Sequence, residues 1–231
     1  MTSSTYPTRA NEFFYGVRSE LPLLLGIFPF GMIYGFMALQ AGLPPLMAQG
    51  MSSIVFAGAS QLMITQLIAN GTPMLIIILT AFVVNLRHTL YSASMAPHFK
   101  HLSPLWKLTL GYLLTDEAYG VGITRYFQPS DEPFKHWFVF GAGFTLWAGW
   151  QISSACGIFL GGQISPTWSL DFAVPLVFIA LLVPMLKDRA GLIAAAAGGV
   201  VSVLAFGLPY KLGILVAALI GILAGLWSER K

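Results

Sequence analysis

Polar and ionisable side chains of this sequence are concentrated in three short stretches that lie inside long apolar runs. The first stretch is Gly58-Ala59-Ser60-Gln61. Glycine and alanine allow another backbone or a small molecule to approach closely, while the Ser60 hydroxyl and the Gln61 amide can hydrogen-bond it. The stretch predicts either a small-ligand contact or a helix packing contact that contains an interhelical hydrogen bond.

The second stretch runs from Asn85 to Tyr91 and contains Arg87 and His88. On a helix, Arg87, His88 and Tyr91 share one face, and Asn85 lies at the edge of that face. An ionisable group at membrane depth is costly, so it usually faces the protein interior and serves the function. A helix end whose arginine reaches the headgroups is the structural alternative. Because the apolar run from Pro73 to Leu86 provides only ~21 Å of helix, the span must continue through Arg87.

Two adjacent carboxyl groups, Asp116 and Glu117, form the third stretch. In an apolar environment they lose hydration and repel each other, so one of them must be protonated or be matched by a cation. Arg87 is the candidate cation, because counting from the outer ends of the two spans places Arg87 and Asp116 at depths that differ by ~5 Å. A salt bridge, direct or through a bound molecule, is therefore predicted, and a purely structural ion pair is the alternative. Asp116, Glu117 and His88 are the groups that could carry a proton or an ion.

The elements that hold these stretches are predicted from composition. Of the 231 residues, 56% are hydrophobic and 9% are charged, whereas soluble domains contain roughly 25% charged residues. The apolar runs have the length that spans ~30 Å of hydrocarbon and lack the alternation of a β-barrel, so we predict an all-α, polytopic membrane protein with about eight transmembrane helices in one bundle. The predicted spans are Leu21–Gln40, Leu46–Ala69, Pro73–Met95, Leu105–Ile123, Trp137–Leu160, Leu170–Leu186, Ala190–Gly207 and Pro209–Trp227.

The predicted bundle occupies residues 21–227, between a cytoplasmic or interfacial N-terminal segment, 1–20, and a cytoplasmic tail, 228–231. Cytoplasmic loops carry an excess of lysine and arginine. With the N-terminus inside, the basic residues on the cytoplasmic side are Arg9, Arg18, Arg125, Lys135, Lys187, Arg189, Arg230 and Lys231. Those on the outside are Lys100, Lys107 and Lys211. This distribution of eight against three predicts that both termini are cytoplasmic.

Several kinds of ligand and site are not expected. The net charge of +3 comes from basic residues that are scattered singly, so no basic face is available for nucleic acid. Cys156 is the single cysteine and lies in an apolar run, and the histidines at loop edges lack the spacing of metal ligands. We therefore expect no metal and no cofactor. The first ten residues lack the apolar core of a signal peptide, so no cleaved signal is expected.

Small residues recur at the spacing of helix contacts. Gly31 and Gly35 are four residues apart, as are Gly221 and Gly225, and the run Ala194–Gly199 contains only alanine and glycine. Such residues allow two helix backbones to approach closely. We predict that these contacts form within the chain, and contact with a partner is the alternative.

Taken together, three motifs resemble those of the AzlC family of branched-chain amino-acid permeases in order and in separation. They are Gly58-Ala-Ser-Gln61, Asn85-Leu-Arg-His-Thr-Leu-Tyr91 and Leu114-Thr-Asp-Glu117. The resemblance extends from about Glu20 to Lys187 and implies export of leucine, isoleucine, valine and sometimes methionine. It also implies a two-component system whose second member is a small AzlD-type membrane protein. The second motif departs from the family at Asn85, where the family often has Asp or another polar residue.

A transporter that works by alternating access is the function that the residues and the resemblance predict. Arg87 suits a substrate carboxylate, and Asp116 or Glu117 suits a substrate ammonium group or a coupled proton. The predicted substrate-binding residues are Gly58, Ala59, Ser60, Gln61, Asn85, Arg87, His88 and Tyr91. The expected location is the bacterial cytoplasmic membrane, with a proton gradient as the driving force and no enzymatic activity.

Two other classes of protein stay open at this point. A passive pore would need polar rings along its length, whereas the polar residues here are concentrated at one depth. An intramembrane enzyme would need a catalytic set, for which Ser60 could pair with His88 across two helices.

Overall fold

The computed structural model describes residues 8–127, 134–161, 186, 188–208 and 212–229. Within these residues the regular structure is helical, and no strand is present. The helical elements are α1 (Arg9–Glu20), a 3-10 turn (Leu21–Leu23), α2 (Leu24–Gln40), α3 (Pro45–Val55), α4 (Gly58–Ala69), α5 (Met74–Phe99), α6 (Pro104–Leu113), α7 (Asp116–Phe127), α8 (Lys135–Gly161), α9 (Arg189–Leu204) and α10 (Leu212–Glu229).

The first helical segment begins before the predicted first span. Residues from Arg9 to Gln40 form 32 consecutive helical residues, because the 3-10 turn joins α1 to α2 without a loop. The Thr8 side chain caps the start by accepting a hydrogen bond from the Asn11 N–H at 3.2 Å. Pro22 lies at the start of the 3-10 segment, and because a proline has no N–H, it interrupts the α-helical hydrogen-bond pattern between α1 and α2.

The second and fourth predicted spans are not continuous helices. The second is split into α3 and α4 by Phe56 and Ala57, and Phe56 has a left-handed backbone with φ of 40°. The fourth is split into α6 and α7 by Leu114 and Thr115. Breaks inside apolar sequence are tolerated only where other groups of the protein bond the freed backbone atoms.

Side chains from elsewhere in the chain bond the backbone atoms that the first break frees. The Gln61 side-chain oxygen accepts a hydrogen bond from the Ala57 N–H at 3.2 Å. The Gln151 amide donates to the Ser52 carbonyl at 3.1 Å, and the Tyr112 hydroxyl donates to the Ser53 carbonyl. Both carbonyls belong to the last turn of α3, which has no further helical partner.

The third predicted span continues past Leu86, as its length required. The helix α5 contains 26 residues and includes Arg87 in its interior. Among the described helices, three are long and apolar enough to cross a membrane, namely Arg9–Gln40, Met74–Phe99 and Leu212–Glu229. The fifth, seventh and eighth predicted spans fall largely on α8, α9 and α10. The sixth, Leu170–Leu186, lies outside the described residues apart from Leu186, so the total of eight spans remains a prediction.

The chain forms two compact units. Residues 1–63 and 84–163 form the first. Within it, α2 packs on α8 through small residues: a Cβ at Gly31 would overlap the Ser153 side chain, and a Cβ at Gly35 would overlap the Ser154 backbone. The predicted contact of the Gly31 and Gly35 pair within the chain is therefore confirmed.

Residues 64–83 and 164–231 form the second unit. Its helices α9 and α10 also pack through small residues. A Cβ at Gly221 would lie 3.0 Å from the Ala194 carbonyl oxygen and 3.4 Å from the Gly198 Cα, and one at Gly225 would lie 3.2 Å from the Ala194 Cβ. The small residues of this pair thus serve helix packing inside the chain, as predicted.

Candidate functional site

An ion pair between α5 and α7 forms the centre of the candidate site. Arg87 Nη1 lies 2.6 Å from Asp116 Oδ2, and the two side chains are 29% and 30% exposed. The Tyr91 hydroxyl, one turn further along α5, donates a hydrogen bond to Asp116 Oδ1. Both carboxylate oxygens of Asp116 therefore have partners. The predicted proximity of Arg87 and Asp116 is confirmed, and their side chains are in direct contact.

The break at Leu114 and Thr115 positions the two carboxyl groups. Asp116 and Glu117 occupy the first turn of α7, whereas a continuous fourth span would have put them in mid-helix. The first N–H groups of a helix have no helical acceptor and carry the positive end of the helix dipole. These N–H groups stabilise a negative charge in the first turn of α7, in addition to the stabilisation that Arg87 provides.

A hydrogen bond between side chains joins the first polar stretch to α5. The Asn85 amide donates a hydrogen bond to the Ser60 hydroxyl at 3.2 Å, and Ser60 is fully buried. Ser60 is thus bonded to Asn85, and a bond between Ser60 and His88 is not among the hydrogen bonds of the described residues. Two of the predicted substrate-binding residues, Ser60 and Asn85, are therefore in contact, next to His88 on α5.

Gln61 and Gly58 face α8 rather than the ion pair. The Gln61 side-chain oxygen accepts a hydrogen bond from the Trp150 indole N–H at 3.1 Å. A Cβ at Gly58 would lie 2.7 Å from the Trp150 ring and 2.9 Å from the Phe30 ring. The space beside Gly58, predicted to admit a ligand, is occupied by these rings in this conformation. Ala59 is partly buried.

The segment Asn85–Tyr91, called the α5 motif, contains within about one helical turn three buried polar atoms that lack hydrogen-bond partners among the described residues. They are the Asn85 side-chain oxygen, Arg87 Nε and His88 Nε2. A buried polar atom without a partner costs about 1–3 kcal/mol, so such atoms are rare and need an explanation. The Asn85 oxygen can only accept a hydrogen bond and Arg87 Nε can only donate one. The motif therefore offers both kinds of partner to a small polar molecule.

Aromatic side chains border the ion pair. The Tyr91 ring stacks on the Tyr119 ring with centroids 4.6 Å apart, and the His88 and Tyr91 ring centroids are 6.0 Å apart. The Tyr119 hydroxyl also shares a hydrogen bond with Ser94 at 2.9 Å. These contacts fix the Tyr91 ring, so its hydroxyl is held toward Asp116.

Sequence reasoning missed several residues of this region. Gln151 accepts hydrogen bonds from Gln49 at 2.8 Å and from Ser53 at 2.9 Å, and its position as an amide within an apolar run was the available signal. Trp150 gave no signal, because aromatic residues are common in membrane spans. Glu20 is fully buried on α1. In the sequence, Glu20 could have been noticed as an acidic residue at the edge of the first apolar run.

The described residues provide no clustered metal ligands: no three His, Cys, Asp or Glu side chains are placed so that they could hold one ion. The His101 and His136 ring centroids are 6.3 Å apart. Cys156 is a free cysteine on α8.

Long apolar helices, two interrupted helices and an ion pair at one interruption together define a polytopic, α-helical membrane protein. Comparison with known families then gives the particular family. The family described as AzlC protein matches residues 22–164, which include both helix breaks and every residue of the ion pair. The chain belongs to the AzlC family.

Curated relatives match nearly the whole chain. It is 26% identical to the inner membrane protein YgaZ of Escherichia coli (strain K12) over 230 residues, which cover 94% of this chain and 92% of the relative. It is 27% identical to an uncharacterized membrane protein of Helicobacter pylori, with 93% and 95% covered. A third relative, from Archaeoglobus fulgidus, is 29% identical, with 92% and 94% covered. No solved structure matches the chain.

Proposed function

We propose that this protein is the large subunit of an exporter of branched-chain amino acids, namely leucine, isoleucine and valine, and also methionine. It works by alternating access in the bacterial cytoplasmic membrane, is driven by a proton gradient and acts with a small AzlD-type membrane subunit. Family membership supports transport as the class of function. The unpartnered buried polar atoms of the α5 motif are the observation that carries the choice of a zwitterionic solute.

An amino acid supplies the partners that these atoms lack. Its carboxylate accepts hydrogen bonds, which suits Arg87 Nε, and its ammonium group donates them, which suits the Asn85 oxygen. Charge-assisted bonds of this kind are stronger than neutral ones. The aliphatic side chain of the substrate then lies against apolar side chains of the bundle, where leucine gains about 1.5–3 kcal/mol from burial.

The interrupted helices support alternating access. Transporters bind substrates where spanning helices are broken, because the half-helix ends present unpaired N–H and C=O groups to polar ligands. In this chain, the break between α6 and α7 lies directly before Asp116, and the break between α3 and α4 lies directly before Gly58. A passive pore has no need for such a single polar region.

Proton coupling follows from competition for Arg87. Without substrate, Asp116 is neutralised by Arg87 at 2.6 Å. A substrate carboxylate that binds the guanidinium weakens this pair, and the freed Asp116 then favours a positive partner, either the substrate ammonium or a proton. Glu117 and His88, which flank the pair, are the other groups that could exchange the proton.

The test is leucine transport by the purified protein in proteoliposomes, with and without the small subunit. We expect exchange of radiolabelled leucine across the membrane, and accumulation when a pH gradient is imposed. Arg87→Gln should abolish both. Arg189→Gln, a matched change at an exposed position at the start of α9, should leave both intact. Absence of leucine exchange in the intact complex would reject this substrate class.

A further inference from the structure

The helices α1 and α7 are joined by a buried ion pair that fixes their relative register. Arg125 binds both carboxylate oxygens of Glu12, at 2.7 Å through Nη2 and at 3.2 Å through Nε. The two side chains are 7% and 3% exposed. Near this ion pair, the Arg9 guanidinium lies 5.3 Å from the centre of the Phe134 ring, just before α8.

A second buried acidic residue of α1, Glu20, has no such ion pair among the described residues. Glu20 is eight residues beyond Glu12, and Glu117 is eight residues before Arg125. Eight residues of helix span ~12 Å, so antiparallel packing from the ion pair brings Glu20 opposite Glu117. Ser19, beside Glu20, lines one cavity together with Gly120 and Val121 of α7, as this register requires.

The Glu20 carboxyl group is completely enclosed. Its exposed fraction is 0%, and neither of its oxygens has a hydrogen-bond partner among the described residues. A buried carboxylate is stable only when it is paired, hydrogen-bonded or protonated. Glu12, on the same helix, is paired with Arg125. Glu20 has no ion pair among the described residues.

Among the described residues, the charged groups on the elements around Glu20 do not supply it with a counter-ion. On α7, Arg125 is bound to Glu12, and Asp116 is bound to Arg87. On α8, Lys135 and His136 lie in the first turn, at the Glu12 end of α1, and α2 has no charged residue. On α1 itself, Arg18 is exposed. The ionisable group that the register places opposite Glu20 is therefore a second carboxyl group, Glu117.

We propose that Glu20 and Glu117 form a carboxyl pair that holds one proton and serves as a proton site of the transporter. This assignment rests on the proposed export function and adds to it a residue outside the three polar stretches of the spans. The pair carries a charge of −1 when it holds the proton. Loss of the proton would leave two carboxylates in an apolar enclosure, so release requires a compensating positive charge near Glu117.

A bound substrate provides the compensating positive charge, and a cavity provides a route for the released proton. A substrate ammonium group that approaches Asp116 and Glu117 stabilises the ionised pair, so the O–H bond of the pair breaks and the proton passes to water. A cavity of about 230 Å³ between α1, α7 and α8 is lined by Ser19, next to Glu20, and by Gly120 and Val121, one turn after Glu117. Departure of the substrate reverses the step.

The test compares Glu20→Gln with Glu20→Asp and with Glu229→Gln, which changes an exposed acid at the end of α10. Glutamine keeps the shape of Glu20 but cannot release a proton. We expect Glu20→Gln to fold at normal levels, to exchange leucine at equal pH on both sides, and to lose about tenfold or more of pH-driven accumulation. Glu20→Asp should restore part of the accumulation, and Glu229→Gln should match the parent protein.

A second measurement does not depend on transport. Infrared spectroscopy of the full-length protein at neutral pH should show the C=O stretching band of a protonated carboxyl group, and Glu20→Gln should reduce it. An unchanged band together with unchanged pH-driven accumulation would overturn the assignment. Accumulation that follows a sodium gradient instead of pH would also overturn it. If the parent protein does not transport leucine, the export function fails while the infrared band still tests the carboxyl pair.

Discussion

Arg87 binds Asp116 with one part of its guanidinium group and leaves another part unused. Nη1 forms the ion pair, while Nε is buried without a partner among the described residues. Because the guanidinium group is planar and carries five N–H donors, it can hold a second carboxylate beside the first. Lysine, which concentrates its charge at one atom, cannot reproduce this geometry.

Arg87→Lys should therefore separate charge from geometry. We expect normal folding and a half-saturating leucine concentration raised about tenfold, which corresponds to ~1.4 kcal/mol of binding free energy. Arg87→Gln should show no saturable exchange. The measurement is the concentration dependence of leucine exchange in proteoliposomes. Identical half-saturation in the parent protein and in Arg87→Gln would show that Arg87 has a structural role only.

Substitution of the two carboxyl groups at the start of α7 tests whether one of them carries the coupled proton. Asp116→Asn and Glu117→Gln keep side-chain shape and remove charge. At least one of them should abolish pH-driven export and still allow leucine exchange, because the proton carrier is lost while the binding site remains. The pH dependence of export checks this result. If both variants export leucine against its gradient with an unchanged pH profile, neither carboxyl group carries the coupled proton.

The sequence could reveal Arg87 and Asp116 because ionisable residues inside apolar runs are few and their depths can be counted. It could not reveal Glu20 in the same way. Glu20 stands one residue before the predicted first span, a position where an exposed interfacial acid is ordinary. Its enclosure depends on α1 continuing the membrane helix and packing on α7, which is a tertiary contact that periodicity does not encode.

At the scale of the helices, the two interruptions determine where the polar residues lie. The interrupting residues are Phe56-Ala57 and Leu114-Thr115, so neither interruption contains a glycine or a proline, although Gly58 directly follows the first. The partners of the freed backbone atoms come from distant side chains such as Tyr112 and Gln151. The apolar spans were predictable from composition, whereas the interruptions, and with them the lengths of the helices, depend on these distant contacts.

The contact between α2 and α8 leads to a prediction about stability. A Cβ at Gly35 would overlap the backbone of Ser154 and lie 2.7 Å from the Ile158 nitrogen, whereas a Cβ at Gly26 meets nothing within 4 Å. Gly35→Ala should therefore push the two helices apart and lower the unfolding free energy by about 1–3 kcal/mol. The matched change Gly26→Ala, in the same helix, should not lower it. Thermal unfolding in detergent measures both, and equal melting temperatures for the two variants would contradict the close contact.

At the scale of the whole chain, the candidate site belongs to one compact unit. The first unit contains residues 1–63 and 84–163, and the family match ends at residue 164. The curated relatives nevertheless match the second unit as well, since they cover at least 92% of this chain. The polar motifs that bind substrate in our proposal therefore lie in the first unit, and the small-residue packing of α9 and α10 in the second.

The orientation of the chain in the membrane gives the last prediction. Eight basic residues were assigned to the cytoplasmic side and three to the outside. Arg125 is buried in its pair with Glu12, so it contributes little to orientation, and removing it leaves seven against three. This excess still favours cytoplasmic termini, because lysine and arginine near span ends are retained on the inner side.

Cysteine labelling in intact cells tests this orientation. In a Cys156→Ser background, Lys100→Cys should react with a membrane-impermeant maleimide from outside, because Lys100 is exposed in the turn before α6. Lys187→Cys should react only after the cells are opened. An odd number of crossings separates the two positions in the predicted topology, with spans four, five and six between them. Labelling of both cysteines from the same side would therefore require an even number of crossings there, and one of these three segments would have to enter and leave the membrane on one side.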